Sequence, residues 1–400
     1  LTCDWSSDVC SSDLLNCLKM QRKTLVKLLS ILFLATTFSM SANGPSKDAA
    51  SSGDSRAERK QQVKDYIAHH LLDSHDFGLF SYTDDATKEK HHVGFPLPII
   101  LWDSGLKVFS SSKFHHGETV AQVDGNYYKI EHAKIYKTDA AGTINYDTAN
   151  HPTNLAPLDF SITKGVFMIL ITAFLMFFLF KSLAKSYGNN GGIATGAGRF
   201  FEPIITYIRD DIAIANIGEG KYKKYMPFLL TVFFFIWFLN MFGLTPLGVN
   251  VTGNIAVTTA LALIVFIITT FTGTKDYWKH IFDPLGNGMP WAGKIFIYII
   301  LVPIEILGLF IKPFALLIRL YANMTAGHVV LGSLLGLIYI FQNWIGGTLS
   351  FGLAFAISLI EILVALLQAY IFTMLAALYF GFASETHEHA EEHDGEIAHL

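Results

Sequence analysis

The chain has 400 residues, 52% of them hydrophobic and only 16% charged, with 33 phenylalanines and a formal net charge of −4. So small a net charge does not point to a nucleic-acid partner. Apolar runs of membrane length recur in the C-terminal 240 residues, more than a soluble core needs, so the default class is a polytopic membrane protein.

Residues 1–19 contain DWSSDVCSSDL (Asp4 to Leu14), which is what a common sequencing adapter gives on translation; they are expected to be an upstream artefact, with the true start at Met20. Residues 20–42 read as a signal peptide: a basic start (Arg22, Lys23, Lys27), a short apolar core from Leu28 to Phe38, and small residues at Ser39, Ser41 and Ala42. The three cysteines, Cys3, Cys10 and Cys17, all precede Met20. The mature chain is therefore expected to have no disulfide, thiolate nucleophile or cysteine-ligated metal.

Residues 43–158 are polar and rich in loops. RAERKQQVKDYIAHHLLDSH reads as one amphipathic helix, and PLPIILW, LKVFSSS and YYKIEHAKIY alternate as strands do. A small exported α+β domain is expected. Its histidine pairs, His69–His70, His91–His92 and His115–His116, raise a rival from another class, a membrane metalloenzyme of the di-iron desaturase kind. The pairs fall in the exported domain rather than at cytoplasmic span ends, which favours surface histidines.

Residues 159–384 carry five apolar segments, at about 162–183, 225–244, 255–272, 295–341 and 345–382. An amphipathic stretch, RFFEPIITYIRDDIAIANI, follows the first. The last two segments exceed a perpendicular span and must tilt strongly or lie partly along the membrane, as a long helix hairpin turning at QNWIGG (Gln342 to Gly347). The fold class is thus an all-α polytopic membrane protein with about five passes plus the exported α+β domain. Basic residues concentrate after the first span (Lys181, Lys185, Arg199, Arg209, Lys221) and after the third (Lys275, Lys279, Lys294). Those loops should be cytoplasmic, with the N-terminal domain outside and the acidic, histidine-rich tail 385–400 inside.

The informative residues are polar ones inside the apolar segments. A charge at the bilayer centre costs roughly 2.5–3.5 kcal/mol on insertion scales. Arg319 cannot escape by deprotonating, so it needs water or a counter-charge. Ala315, Ala322 and Ala326 share its helix face and allow another helix to approach, with Asn323 close by. The last segment holds Glu361 and Gln368, seven residues apart and on one face. The midpoint of Arg319 and Gln368 is 343.5, and that of His328 and Glu361 is 344.5. One hairpin register therefore sets Gln368 level with Arg319, and Glu361 level with His328, in two layers about 10–13 Å apart. On the residues alone the layers serve either as static interhelical hydrogen bonds or as a proton relay, for which a carboxylate and an imidazole at one level are suited.

LLIRLYANMTAGH followed by LLQAYIF resembles subunit a of the rotary F-type ATP synthase. Lys312-Pro313 seven residues before Arg319, Asn323 four after it, Glu305 fourteen before it, LNMFGLTP (Leu239 to Pro246) and NIAVTTALAL (Asn254 to Leu263) carry the same resemblance, which covers about Leu158 to Ser384. Many bacterial members place Glu where His328 stands and His where Glu361 stands; here the two are exchanged, which leaves open which of them holds the proton at rest. The resemblance implies a stationary proton-channel subunit with no nucleotide site, no catalytic residue and no cofactor. It also implies a place in a bacterial inner membrane, with a ring of c subunits, the b subunit of the peripheral stalk and the other F1Fo subunits as partners. Protons would enter near Asn254, His328 and Glu361, ride a ring carboxylate, and leave near Glu305; Arg319, with Asn323 and Gln368 beside it, would separate the two half-channels. A sodium-coupled version of the same subunit is the nearer alternative.

Overall fold

The computed structural model describes residues 56–83, 90–117, 119–148, 151–189, 196, 198–245, 249–283, 291–341 and 343–385. The expected artefact, the signal peptide and the tail beyond Glu385 lie outside these residues. The chain divides into two compact units, one holding the chain up to Thr163 with 242–249 and 332–356, the other holding the rest.

The first unit opens with α1 (Arg56–His70) and continues in short antiparallel strands: β1 (Asp76–Thr83), β2 (Lys90–Pro96), β3 (Pro98–Trp102), β4 (Leu106–Ser110), β5 (Ala121–Val123), β6 (Asn126–Glu131), β7 (Lys134–Thr138) and β8 (Leu158–Asp159). They form three sheets, β1–β2, β4–β3–β8 and β5–β6–β7. Tight turns set the last sheet. Asp124-Gly125 joins β5 to β6 with φ of 49° and 77°, the positive values that a two-residue hairpin turn demands. His132-Ala133 adopts φ of 49° and 61° between β6 and β7 without a glycine. Ile99, Leu101, Phe109, Phe114, Tyr128 and Ile135 make the core.

A polar network crosses that core. Lys107 Nζ donates to Tyr128 Oη at 2.8 Å, and Tyr128 Oη donates to Asp103 Oδ2 at 2.8 Å. Lys137 Nζ donates to the same oxygen at 2.9 Å. The Lys137 hydrogen bond, then that of Tyr128, holds Asp103 below the usual carboxylate range. Burial, then the Asp103 carboxylate, pushes the Tyr128 phenol up to about 12. Within the same unit α1 packs on the C-terminal end of the fourth membrane helix. Val63 and Ile67 lie on Gly336 and Gly332, and Tyr339 Oη donates to Gln62 Oε1 at 3.2 Å.

The membrane helices are α2 (Lys164–Asn189), α4 (Tyr222–Gly243), α5 (Ile255–Thr272), α7 (Trp291–Phe341) and α8 (Trp344–Ser384), with α3 (Gly198–Tyr207) and α6 (Lys275–Phe282) shorter. Among the described residues five helices are long and apolar enough to cross a membrane, so the chain is a multi-pass, mostly helical membrane protein whose N-terminal part carries strands. The amphipathic stretch after α2 is α3 running through a π segment, Ile208–Ile214, into Ala215–Ile217. The second unit packs Phe234 against Phe180, Phe201 and Trp237, and Tyr225 on Phe380 at 4.8 Å between ring centroids. The buried face of α8 sets alanines, Ala365, Ala369, Ala376, Ala377 and Ala383, beside Phe372 and Phe380. Small residues let helix backbones approach where lipid gives no hydrophobic drive. Thr172, Thr269, Thr373 and Ser384 return their hydroxyls to carbonyls four residues back, so these polar side chains are satisfied within their own helices. By contrast α7 turns Ile299, Ile304, Leu307, Phe310 and Phe314 outward.

Candidate functional site

Two helices carry most of the candidates. α7 and α8 run antiparallel, and Asn323 Nδ2 donates to Gln368 Oε1 at 2.8 Å. Gln368 is 1% exposed, and among the described residues its Nε2 has no hydrogen-bond partner. Two turns closer to the hairpin tip, the Glu361 carboxylate lies directly over Gly327, where an added Cβ would overlap it. Glu361 is buried, and its Oε1 has no hydrogen-bond partner among the described residues. His328, half-buried, follows Gly327 in sequence. The pairing of levels expected from the midpoints is therefore displaced slightly. Gln368 reaches Asn323, one helical turn past Arg319, and Glu361 meets the backbone beside His328.

Arg319 is half-buried in α7 and forms no hydrogen bond or ion pair among the described residues. A guanidinium does not shed its charge on burial, so in an apolar helix it needs water or an anionic partner.

Two other candidates stand apart from this layer. The Asn254 side chain caps α5, accepting from Ala256 N at 3.0 Å. Glu305 lines a cavity of about 340 Å³ with Asp276, Tyr277, His280, Ile281, Leu309, Lys312, Phe382 and Glu385. Lys312 Nζ lies 5.8 Å from the ring centroids of both Tyr379 and Phe382, so its charge sits over two aromatic rings at the cavity wall.

Sequence reasoning missed several polar groups here. Asn240 is fully buried, donating from Nδ2 to Ala365 O at 3.5 Å and accepting from Thr252 Oγ1 at 2.8 Å on Oδ1. Ala365 lies between Glu361 and Gln368 on α8, so this pair extends the polar string of the hairpin. The signal was a lone asparagine in an apolar span. Asp276 and His280 on α6 were missed because α6 is a short amphipathic turn outside the long apolar runs. Among the described residues no group of three His, Cys, Asp or Glu could hold a metal ion.

Five apolar helices, with a hairpin that carries a buried carboxylate, a buried amide and an arginine without an ion pair among the described residues, define a multi-pass membrane protein. The family model described as ATP synthase A chain matches residues 166–381. The chain is 44% identical over 245 residues to ATP synthase subunit a of Myxococcus xanthus, covering 59% of this chain and 77% of that one. It is 38% identical over 323 residues to ATP synthase subunit a 2 of Prosthecochloris aestuarii, covering 76% and 94%. A third relative, ATP synthase subunit a 2 of Chlorobaculum tepidum, is 44% identical over 251 residues, covering 60% and 67%. The chain belongs to the ATP synthase subunit a family, and so works beside the other subunits of that complex. A separate match, a domain of unknown function (DUF8433), covers residues 66–160.

Proposed function

We propose that this chain is the stationary proton-channel subunit of the Fo sector, holding two half-channels and a fixed arginine against a rotating c ring. Its partners are then that ring and the b subunit of the peripheral stalk. The chain carries no P-loop pattern, so nucleotide chemistry falls to other subunits. On this reading it sits in a bacterial inner membrane after removal of residues 20–42, with 43–158 periplasmic, 159–384 forming the channel domain and 385–400 cytoplasmic.

The observation that carries the reading is Arg319, a permanent charge in an apolar hairpin with no counter-charge among the described residues. A ring carboxylate passing the exposed apolar face of α7 would supply one. The fixed charge favours the ionised carboxylate and repels a proton attempting to cross directly. Inlet protons pass His328 and Glu361, with Asn254 at the mouth and Asn240 and Thr252 extending the polar path. Asn323 donates to Gln368 one helical turn past the arginine. Outlet protons leave by the cavity at Glu305. Each proton crossing 100 mV supplies about 2.3 kcal/mol.

The test is the complex purified through a tag on this chain and reconstituted in vesicles. A ring of small subunits should copurify, and an imposed pH gradient without sodium should drive ATP synthesis. Synthesis that needs a sodium gradient would replace the proton with sodium, and the lack of a ring would remove the reading.

A further inference from the structure

The β4–β3–β8 sheet carries large apolar side chains on both faces, its inner face also holding Lys107 and Asp159. Its inner face gives Ile99, Leu101 and Phe109 to the core. Its outer face carries six large apolar side chains, Ile100, Trp102, Leu106, Val108, Leu158 and Phe160, with Pro98 opposite the exposed Ser110 at one end, and the register sets them side by side: Ile100 opposite Val108, and Trp102 opposite both Leu106 and Leu158. Five of the six lie between 56% (Trp102) and 64% (Phe160) exposed, and Ile100 is half-buried. An antiparallel sheet with one face in water normally alternates apolar with polar. A contiguous outer face of aromatic and aliphatic side chains marks an interaction surface.

The chain itself argues what covers it. Phe160 N donates to Ile100 O at 2.9 Å, and Ile162 N donates to Pro98 O at 3.1 Å. Thr163 Oγ1 donates to Asp73 Oδ2 at 2.8 Å. The sheet edge is thus stitched to the chain up to Thr163, and the first membrane helix starts at Lys164. No linker separates them, since consecutive Cα atoms are about 3.8 Å apart. Along the chain, the last hydrogen-bonded residue of the sheet edge, Ile162, is two residues from the start of the helix that enters the membrane. Tryptophan and other aromatic side chains concentrate at this depth of a bilayer.

We propose that the outer face of the β4–β3–β8 sheet docks on lipid, with Trp102, Leu106, Val108 and Phe160 seated at the headgroup–acyl boundary where α2 enters. The N-terminal domain is then a peripheral membrane module that fixes the entry of α2, independently of what the channel carries.

The test uses the full chain with Cys3, Cys10 and Cys17 replaced by serine, carrying single nitroxide labels at Leu106→Cys, Val108→Cys or, as a control, Gln122→Cys. Gln122 is exposed on β5. The protein is reconstituted in phosphatidylcholine–phosphatidylglycerol vesicles. Accessibility to oxygen, which partitions into lipid, is compared with accessibility to a water-soluble nickel chelate. Labels at 106 and 108 should favour oxygen, while 122 favours nickel. Nickel access at 106 and 108 equal to that at 122 overturns the proposal. So does shielding from both reagents, which would mean a protein cover such as a second copy or a neighbouring subunit.

Discussion

At the scale of single residues, the absence of a side chain matters as much as a charge. Gly327 gives the Glu361 carboxylate its place against α7, and an alanine there would occupy the same space. Gly327→Ala should force the carboxylate aside or spread the helices, at a cost of about 1–3 kcal/mol. The expected result is ATP synthesis lowered about tenfold or more with the complex still assembled; unchanged synthesis would show that the carboxylate position is not used. In the N-terminal domain, Asp103 is held low by Lys137 and then Tyr128. Its stabilising effect is present above its unfolded pKa, near 3.9, and is lost as pH falls through the lower folded value. Tyr128 has the opposite sign: its neutral form is favoured, so stability is full below about 10 and declines as pH rises toward about 12. The protection factors of the β6 and β7 amides, their exchange rates taken relative to an unfolded chain at the same pH, should therefore stay high and flat between these limits and fall at both ends. Lys137→Met should erase part of the acid-side protection. An alkaline limit unchanged by Tyr128→Phe would contradict the tyrosine part.

At the scale of elements, the hairpin register was legible and its details were not. Hydropathy alone placed α5 at 255–272 and the last two helices within a few residues of their observed ends, because lipid demands long apolar runs. The midpoints of polar residues fell on the turn already read at QNWIGG and brought Glu361 to Gly327, the neighbour of His328. They placed Gln368 one turn from its partner, because a straight-helix count ignores tilt and the reach of an amide side chain. Asn240 and Thr252 were invisible as a pair, since their contact depends on how α4, α5 and α8 pack. The α6 helix was overlooked although Thr274 caps it, because it is only eight residues long. If the register serves exchange between His328 and Glu361, the double variant His328→Glu with Glu361→His should retain more proton-driven synthesis than either single variant. A double variant no better than the worse single variant counts against direct coupling.

At the scale of the whole molecule, a channel-type helical region carries the family match, and a small β-rich region carries a second, separate one. The alternation of PLPIILW and LKVFSSS announced strands, but the apolar outer face emerged only when register set Trp102 beside Leu106 and Leu158. The β1–β2 pair was not read from DFGLFSYT, which does not alternate cleanly. The central claim is that one fixed charge keeps proton flow tied to rotation. Arg319→Ala should leave the complex assembled, because alanine suits both the helix and close packing and removes a costly charge. Arg319→Lys should fail as well, since a buried lysine can lose its proton and lacks the planar fork. The most direct measurement is ATP synthesis driven by an imposed proton gradient in vesicles holding the assembled Arg319→Ala complex: synthesis is expected to be abolished, and near-normal synthesis would contradict the central claim.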